Sequence, residues 1–169
     1  MDKYKVAIVD DDEVALENLS FELGKDARFF LKGTARNGKQ GKKLIAKVQP
    51  DLLFLDVELP DMTGMELLQE IRDSVSWNMR IVFYTAYGKY MIQAIREAAF
   101  DYLLKPFEEQ ELRDILARFV EQAEAGQRMS YPIGAPLHTG QTLSYLRQLM
   151  ICVRCVRLKS ARSEERRVG

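Results

Sequence analysis

Histidine and cysteine are almost missing from this chain. Its 169 residues contain one histidine, His138, and two cysteines, Cys152 and Cys155. With the only imidazole far down the chain, nucleophile–histidine catalysis is not expected in the preceding part. Two cysteines are too few for a disulfide scaffold. Their C-x-x-C spacing lacks the second pair of ligands that a zinc site requires, so CVRC reads as two small apolar residues on a helix. No glycine-rich phosphate loop is present. No apolar run approaches a membrane span, and the N-terminal MDKYK lacks the apolar stretch of a signal peptide, so a soluble, cytoplasmic protein without a membrane partner is expected.

What is present is an uneven distribution of charge. The formal net charge is zero. Residues 1–125 nevertheless carry 17 Lys+Arg against 23 Asp+Glu, and residues 126–169 carry 8 against 2. The chain therefore divides into an acidic body, 1–125, and a basic remainder. Residues 126–141 hold three of the ten glycines and two of the five prolines and read as a linker, leaving 142–169 as a basic extension. Apolar residues make up 47% of the sequence, enough for a sizeable core.

Within the body, short apolar runs alternate with helical patterns. YKVAIVD (Tyr4–Asp10), FFLKGTA (Phe29–Ala35), DLLFLD (Asp51–Asp56), MRIVFYT (Met79–Thr85) and DYLL (Asp101–Leu104) read as five strands. Between them, EVALENLSFEL is helical and stopped by Gly24, although its apolar spacing is mixed. NGKQGKKLIAKV is a short basic helix closed by Pro50. MELLQEIRD and KYMIQAIREAA supply a third and a fourth helix. The clearest helix is the fifth, residues 108–125, where Leu112, Ile115, Leu116, Phe119 and Val120 repeat at helical spacing behind a glutamate-rich first turn. Five βα units imply an α/β fold: a five-stranded parallel sheet, doubly wound, with helices on both faces.

Ligands of such sheets sit beyond the carboxyl ends of the strands. Strand one ends in Asp10, Asp11 and Asp12, strand three in Asp56, and strand four in Thr85–Ala86, while strand five is followed by Lys105–Pro106. Adjacent carboxylates repel one another, most strongly where water is scarce. A hard dication with retained waters, such as Mg²⁺, cancels that repulsion. A carboxylate can also act as a nucleophile toward phosphorus, and the transferring oxygens then need a metal, an amine, a hydroxyl and backbone N–H groups. Each feature has a plainer reading too: helix N-caps for Asp10–Asp12, a solvated loop acid for Asp56, a strand threonine for Thr85, a turn for Lys105–Pro106, and a core aromatic for Tyr102.

Taken together and in order, these motifs resemble the receiver domain of bacterial two-component response regulators, a CheY-like, flavodoxin-like (βα)5 fold, over about residues 3–124. VDDDE matches the acidic pair, Asp10 and Asp11, and FLDVELPDMTGMELL matches the phosphoacceptor segment. VFYTAY and DYLLKPF match the switch and lysine motifs. The resemblance implies Asp56 as phosphoacceptor. It implies Mg²⁺ held by Asp11 directly, Asp10 mainly through water, Asp56, and the Glu58 backbone carbonyl. Thr85, Ala86 and Lys105 would contact the phosphoryl group, Tyr102 would be the switch aromatic, and Lys105–Pro106 would be a cis bond. Asp12 is given no metal role. The implied partner is a sensor histidine kinase. Phosphorylation would remodel the face of the fourth helix, fifth strand and fifth helix, including Lys89, Tyr90 and Arg96, and promote a homodimer through it. The TAY…DYLLKPF wording is similar to regulators with a LytTR-type DNA-binding output.

Two other functions compete. An aspartyl-phosphate phosphatase would use Glu58, two residues beyond the nucleophile, as general acid/base and would turn over phosphoesters. A pure interaction domain would bind its partner regardless of Asp56. The extension is open to three readings. Leu143, Leu146, Leu149, Met150, Val153 and Val156 form an apolar stripe with Arg147, Arg154 and Arg157 interspersed. It is a piece of a DNA-binding domain, a basic interaction helix, or non-native sequence; the last is favoured, because SARSEERRVG reads as vector-derived or frameshifted. On that reading the parent is a DNA-binding regulator, and this chain is its receiver with the output truncated.

Overall fold

The computed structural model describes residues 4–86 and 99–125. Five strands run in chain order: β1 (Tyr4–Val9), β2 (Phe29–Ala35), β3 (Leu52–Leu55), β4 (Arg80–Thr85) and β5 (Asp101–Leu104). They form one parallel sheet in the order β2-β1-β3-β4-β5. The expected parallel α/β fold is therefore present. The described helices are α1 (Glu13–Gly24), α2 (Gly38–Val48), α3 (Gly64–Ile71), continued by a 3₁₀ turn at Arg72–Ser74, and α4 (Glu109–Glu124). The helix expected at KYMIQAIREAA, with Lys89, Tyr90 and Arg96, lies outside the described residues, as do the linker and the basic extension. The helix read from sequence as the fifth is thus α4.

Strand alternation sorts the side chains onto two faces. Ala7, Val9, Leu53, Leu55, Ile81 and Phe83 share one core with Ile45 of α2 and Leu67 and Ile71 of α3. Val6, Ile8, Leu52, Phe54, Val82 and Tyr84 share the other with Leu16, Leu19 and Leu23 of α1 and Leu112, Leu116 and Phe119 of α4. Both faces of β3 are covered, which explains its unbroken apolar run. Arg80 is buried in the second core. It donates to the Phe119 carbonyl at 3.1 Å, between the rings of Phe100 and Phe119.

Helix ends are set by local chemistry. Asp12 caps α1 by accepting from the N–H groups of Val14 and Ala15. Asn37 caps α2, and Gln49 ends it with a positive φ of 50° ahead of Pro50. Thr63 and Glu66 form a reciprocal capping box on α3. The chain passes from β1 to β2 on one side and then to β3 on the other, so the switch point of the topology lies between β1 and β3.

Candidate functional site

Asp10 follows β1 and Asp56 follows β3, on either side of that switch point. The backbone fixes both: Asp10 N–H donates to the Ala35 carbonyl and Asp56 N–H to the Val9 carbonyl, each at 2.9 Å. Asp10 is fully buried and Asp56 nearly so, whereas Asp11 is exposed. One oxygen from each of Asp10, Asp11 and Asp56 lies within 4.8 Å of the others. The three acids read from the sequence as metal ligands thus converge.

Lys105, just beyond β5, reaches into the same space. Its Nζ lies 2.6 Å from Asp10 Oδ2 and 2.9 Å from Asp56 Oδ2, hydrogen-bonding the latter. Asp10 Oδ2 is buried, and this ion pair with Lys105 is the contact it makes among the described residues. The other oxygens are better served: Asp12 N–H donates to Asp10 Oδ1 at 2.9 Å and Glu58 N–H to Asp56 Oδ1 at 3.3 Å. The Lys105–Pro106 bond is cis.

Burial dominates the electrostatics. It pushes the Asp10 carboxyl up to about 6, with Lys105 opposing and the neighbouring Asp56 reinforcing the rise. Asp56 is raised for the same reason, again against Lys105. Burial pulls the Lys105 ammonium down, but the two carboxylates outweigh it and its pKa is raised overall. The pocket holds more negative charge than one ammonium neutralises, with two buried carboxylates sharing that ammonium and an exposed acid beside them. Hard oxygen donors in that arrangement fit a small dication that keeps some of its waters. Such an ion would be held by Asp10, Asp11 and Asp56.

Thr85 ends β4 fully buried, paired in register with Leu104, and its carbonyl accepts from Lys105 N–H at 2.9 Å. Ala86, next in the chain, is exposed. Tyr102 on β5 is half-buried against the core that includes Phe83. Glu58 forms a bridge with Thr63, which closes the loop after β3. Every site residue named from the sequence is therefore described, and Asp10, Asp11, Asp56 and Lys105 are drawn into direct proximity.

Three supporting residues are not among those read from the sequence as site residues, although Gly64 reads there as punctuation of the loop before the third helix. Gly64 opens α3 so close to Asp56 that a Cβ there would lie 2.3 Å from the Asp56 carbonyl oxygen. Asp61 accepts from Gly38 N–H at 2.7 Å and Lys39 N–H at 3.0 Å, tying the loop after β3 to the start of α2. Tyr84 places its ring under Lys105 Nζ, 4.9 Å from the ring centroid. Only the position of Gly64, just before an apolar helical run, carried a usable signal in the sequence.

A doubly wound parallel sheet with an acid pocket at its switch point, bridged by one lysine, defines a class of α/β domain with flavodoxin-like topology. Within that class the family is specific. The model of the response regulator receiver domain matches residues 6–117, and the chain belongs to that family. It is 39% identical over 118 residues to the transcriptional regulatory protein BtsR of Escherichia coli, covering 70% of this chain and 48% of that protein. It is 36% identical over 115 residues to an uncharacterized response regulatory protein of Vibrio cholerae, covering 68% and 48%. The chain thus spans about half the length of the curated relatives it matches. Among solved structures, the receiver domain of AraT from Geobacillus stearothermophilus superposes with a TM-score of 0.65 at 29% identity, over 74% of this chain and 98% of that one. The response regulatory domain of MrkE from Klebsiella pneumoniae gives 0.62 at 30% identity, over 72% and 98%.

Proposed function

We propose that residues 1–125 are a phosphorylation switch in which Asp56 accepts a phosphoryl group from a sensor histidine kinase. The observation that carries this reading is the placement of Lys105 Nζ between the Asp10 and Asp56 carboxylates at the sheet's switch point. In the transfer, an Asp56 carboxylate oxygen attacks phosphorus in line with the leaving nitrogen of phosphohistidine. A P–O bond forms as the P–N bond breaks, and the imidazole leaves with the bonding electron pair. Lys105 holds Asp56 ionised before the step and pairs with a phosphoryl oxygen after it. Mg²⁺, bound by Asp10, Asp11, Asp56 and the Glu58 carbonyl, would supply positive charge to the phosphoryl oxygens. The Thr85 hydroxyl and the Ala86 N–H are the further donors.

The acyl phosphate carries about −1.5 to −2 charge, by analogy with phosphoserine, in place of the single charge of the carboxylate, and it brings strong acceptor oxygens. Thr85 turns toward them, and Tyr102 moves into the space behind it. The face of the fourth predicted helix, β5 and α4 then shifts and pairs with a second copy. BtsR is a transcriptional regulatory protein, which supports a parent that regulates transcription; DNA binding would then belong to a region outside 1–125, and the protein would act in the cytoplasm. The domain is a phosphoacceptor rather than a turnover enzyme.

Intact mass after incubation with Mg²⁺ and a small acyl phosphate tests the reading. One added phosphoryl on the wild type and none on Asp56→Ala is the expected result. A folded wild type that gains no mass overturns it in favour of an interaction domain, and steady hydrolysis of the donor without a retained phosphoryl would favour the phosphatase.

A further inference from the structure

Lys105 holds three contacts at once. Two are the carboxylates of Asp10 and Asp56; the third is the ring of Tyr84, the residue before Thr85. The ring is 2% exposed and braced edge-on by Phe107 at 5.8 Å between centroids. The lysine side chain is only 13% exposed, so its ammonium is largely stripped of water, the condition under which a ring face attracts a cation most strongly. Burial, with the charges of Asp10, Asp12 and Asp56, pushes the Tyr84 phenol above its ordinary range, so the ring stays neutral.

The two ionic contacts cannot persist unchanged through phosphorylation. A dication entering the pocket draws on the same carboxylates and repels the ammonium, and phosphorylation converts the Asp56 carboxylate into a mixed anhydride. A lysine stem with four rotatable bonds is free to swing out to solvent at that moment. The ring face is the one contact that neither event alters.

We propose that Tyr84 is a positioning residue for Lys105: its ring face keeps the ammonium at the pocket while the metal and the phosphoryl group compete for the carboxylates. This rests on the phosphoacceptor reading of Asp56. The role belongs to the π electrons, not to the hydroxyl or to bulk. Tyr84→Phe therefore preserves it and Tyr84→Leu does not.

The test replaces Tyr84 with phenylalanine and with phenylalanines of increasing ring fluorination, which weaken the π face with little change of shape, and with leucine. Phosphorylation rates are measured with a small acyl phosphate in saturating Mg²⁺. The upfield ring-current shift of the Lys105 ε-methylene protons is followed by NMR with and without Mg²⁺. We expect Tyr84→Phe to match the wild type, the rate to fall in steps with fluorination, and Tyr84→Leu to lose about thirtyfold, the rate equivalent of one desolvated cation–π contact. The ring-current shift should survive Mg²⁺. A flat rate across the fluorinated series with an active wild type overturns the inference, as does loss of the shift when Mg²⁺ is added. A wild type that takes no phosphoryl group refutes the proposed function instead. The NMR measurement then judges the contact alone, its persistence in Mg²⁺ supporting the ring's hold and its loss overturning it.

Discussion

At the scale of single residues, the pocket carries a burden of buried negative charge that a bound dication would relieve. Asp10 titrates near 6 in the folded chain against an ordinary value of 3.8. A raised carboxyl pKa means that the native state binds more protons than the unfolded chain between these values. Its contribution to stability is therefore complete below about pH 4 and is lost as pH rises through about 6. Asp56 is displaced in the same direction. In chelator-treated protein, Asp10→Asn should be more stable than the wild type at pH 7.5, by about 1–3 kcal/mol at most, since a tenfold change in proton affinity is worth about 1.4 kcal/mol. That gap should close as pH falls toward 4, in denaturant titrations at several pH values. Mg²⁺ should stabilise the wild type by about 1.4 kcal/mol at tenfold over its dissociation constant, and the variant far less. A variant no more stable than the wild type at neutral pH would mean that Lys105 alone balances the buried charge.

At the scale of elements, the loop after β3 and the start of α2 hold the pocket's floor. Gly64→Ala would push a methyl group into the Asp56 carbonyl, so the backbone carrying Asp56 must move. We expect a loss of about 1–3 kcal/mol in equilibrium unfolding, typical of overpacking, together with slower phosphorylation. Asp61→Ala removes the acceptor of the Gly38 and Lys39 amides, and hydrogen exchange should quicken in the first turn of α2 while the β1 amides keep their protection. These elements were legible to very different degrees. β2 and β5 match their sequence bounds, because turn residues and charge flank them closely. The apolar spacing of α1 looked mixed because Val14 and Phe21 are exposed, while Ala15, Leu16, Leu19 and Leu23 form the buried stripe. The site acids and Lys105 were readable because each directly follows a strand, and a parallel sheet gathers those ends at one edge. Tyr84 and Asp61 were not. Their partners lie 21 and 22–23 residues away in the chain, and nothing local distinguishes a strand tyrosine facing a lysine from one in the core.

At the scale of the molecule, charge and site separate. The contacts that build the pocket join β1, β3 and the segment after β5, and the two cores are closed by α1 through α4, all within residues 4–125. The excess of acid lies in 1–125 and the excess of base beyond it. Exposed charges of opposite sign attract across about 10 Å at 0.1 M salt and less as salt rises. A chain ending at residue 125 should therefore unfold cooperatively at the same midpoint as the full chain and accept a phosphoryl group at the same rate. It should differ in association. The full chain should show salt-sensitive self-association by sedimentation before phosphorylation, as the basic segment of one copy meets the acidic body of another. The shortened chain should remain monomeric until Asp56 is phosphorylated and then dimerise independently of the extension. If shortening abolishes the phosphorylation-induced dimer, then the extension, and not the face of β5 and α4, carries the pairing. If it lowers the unfolding midpoint sharply, the folded unit does not end near residue 125.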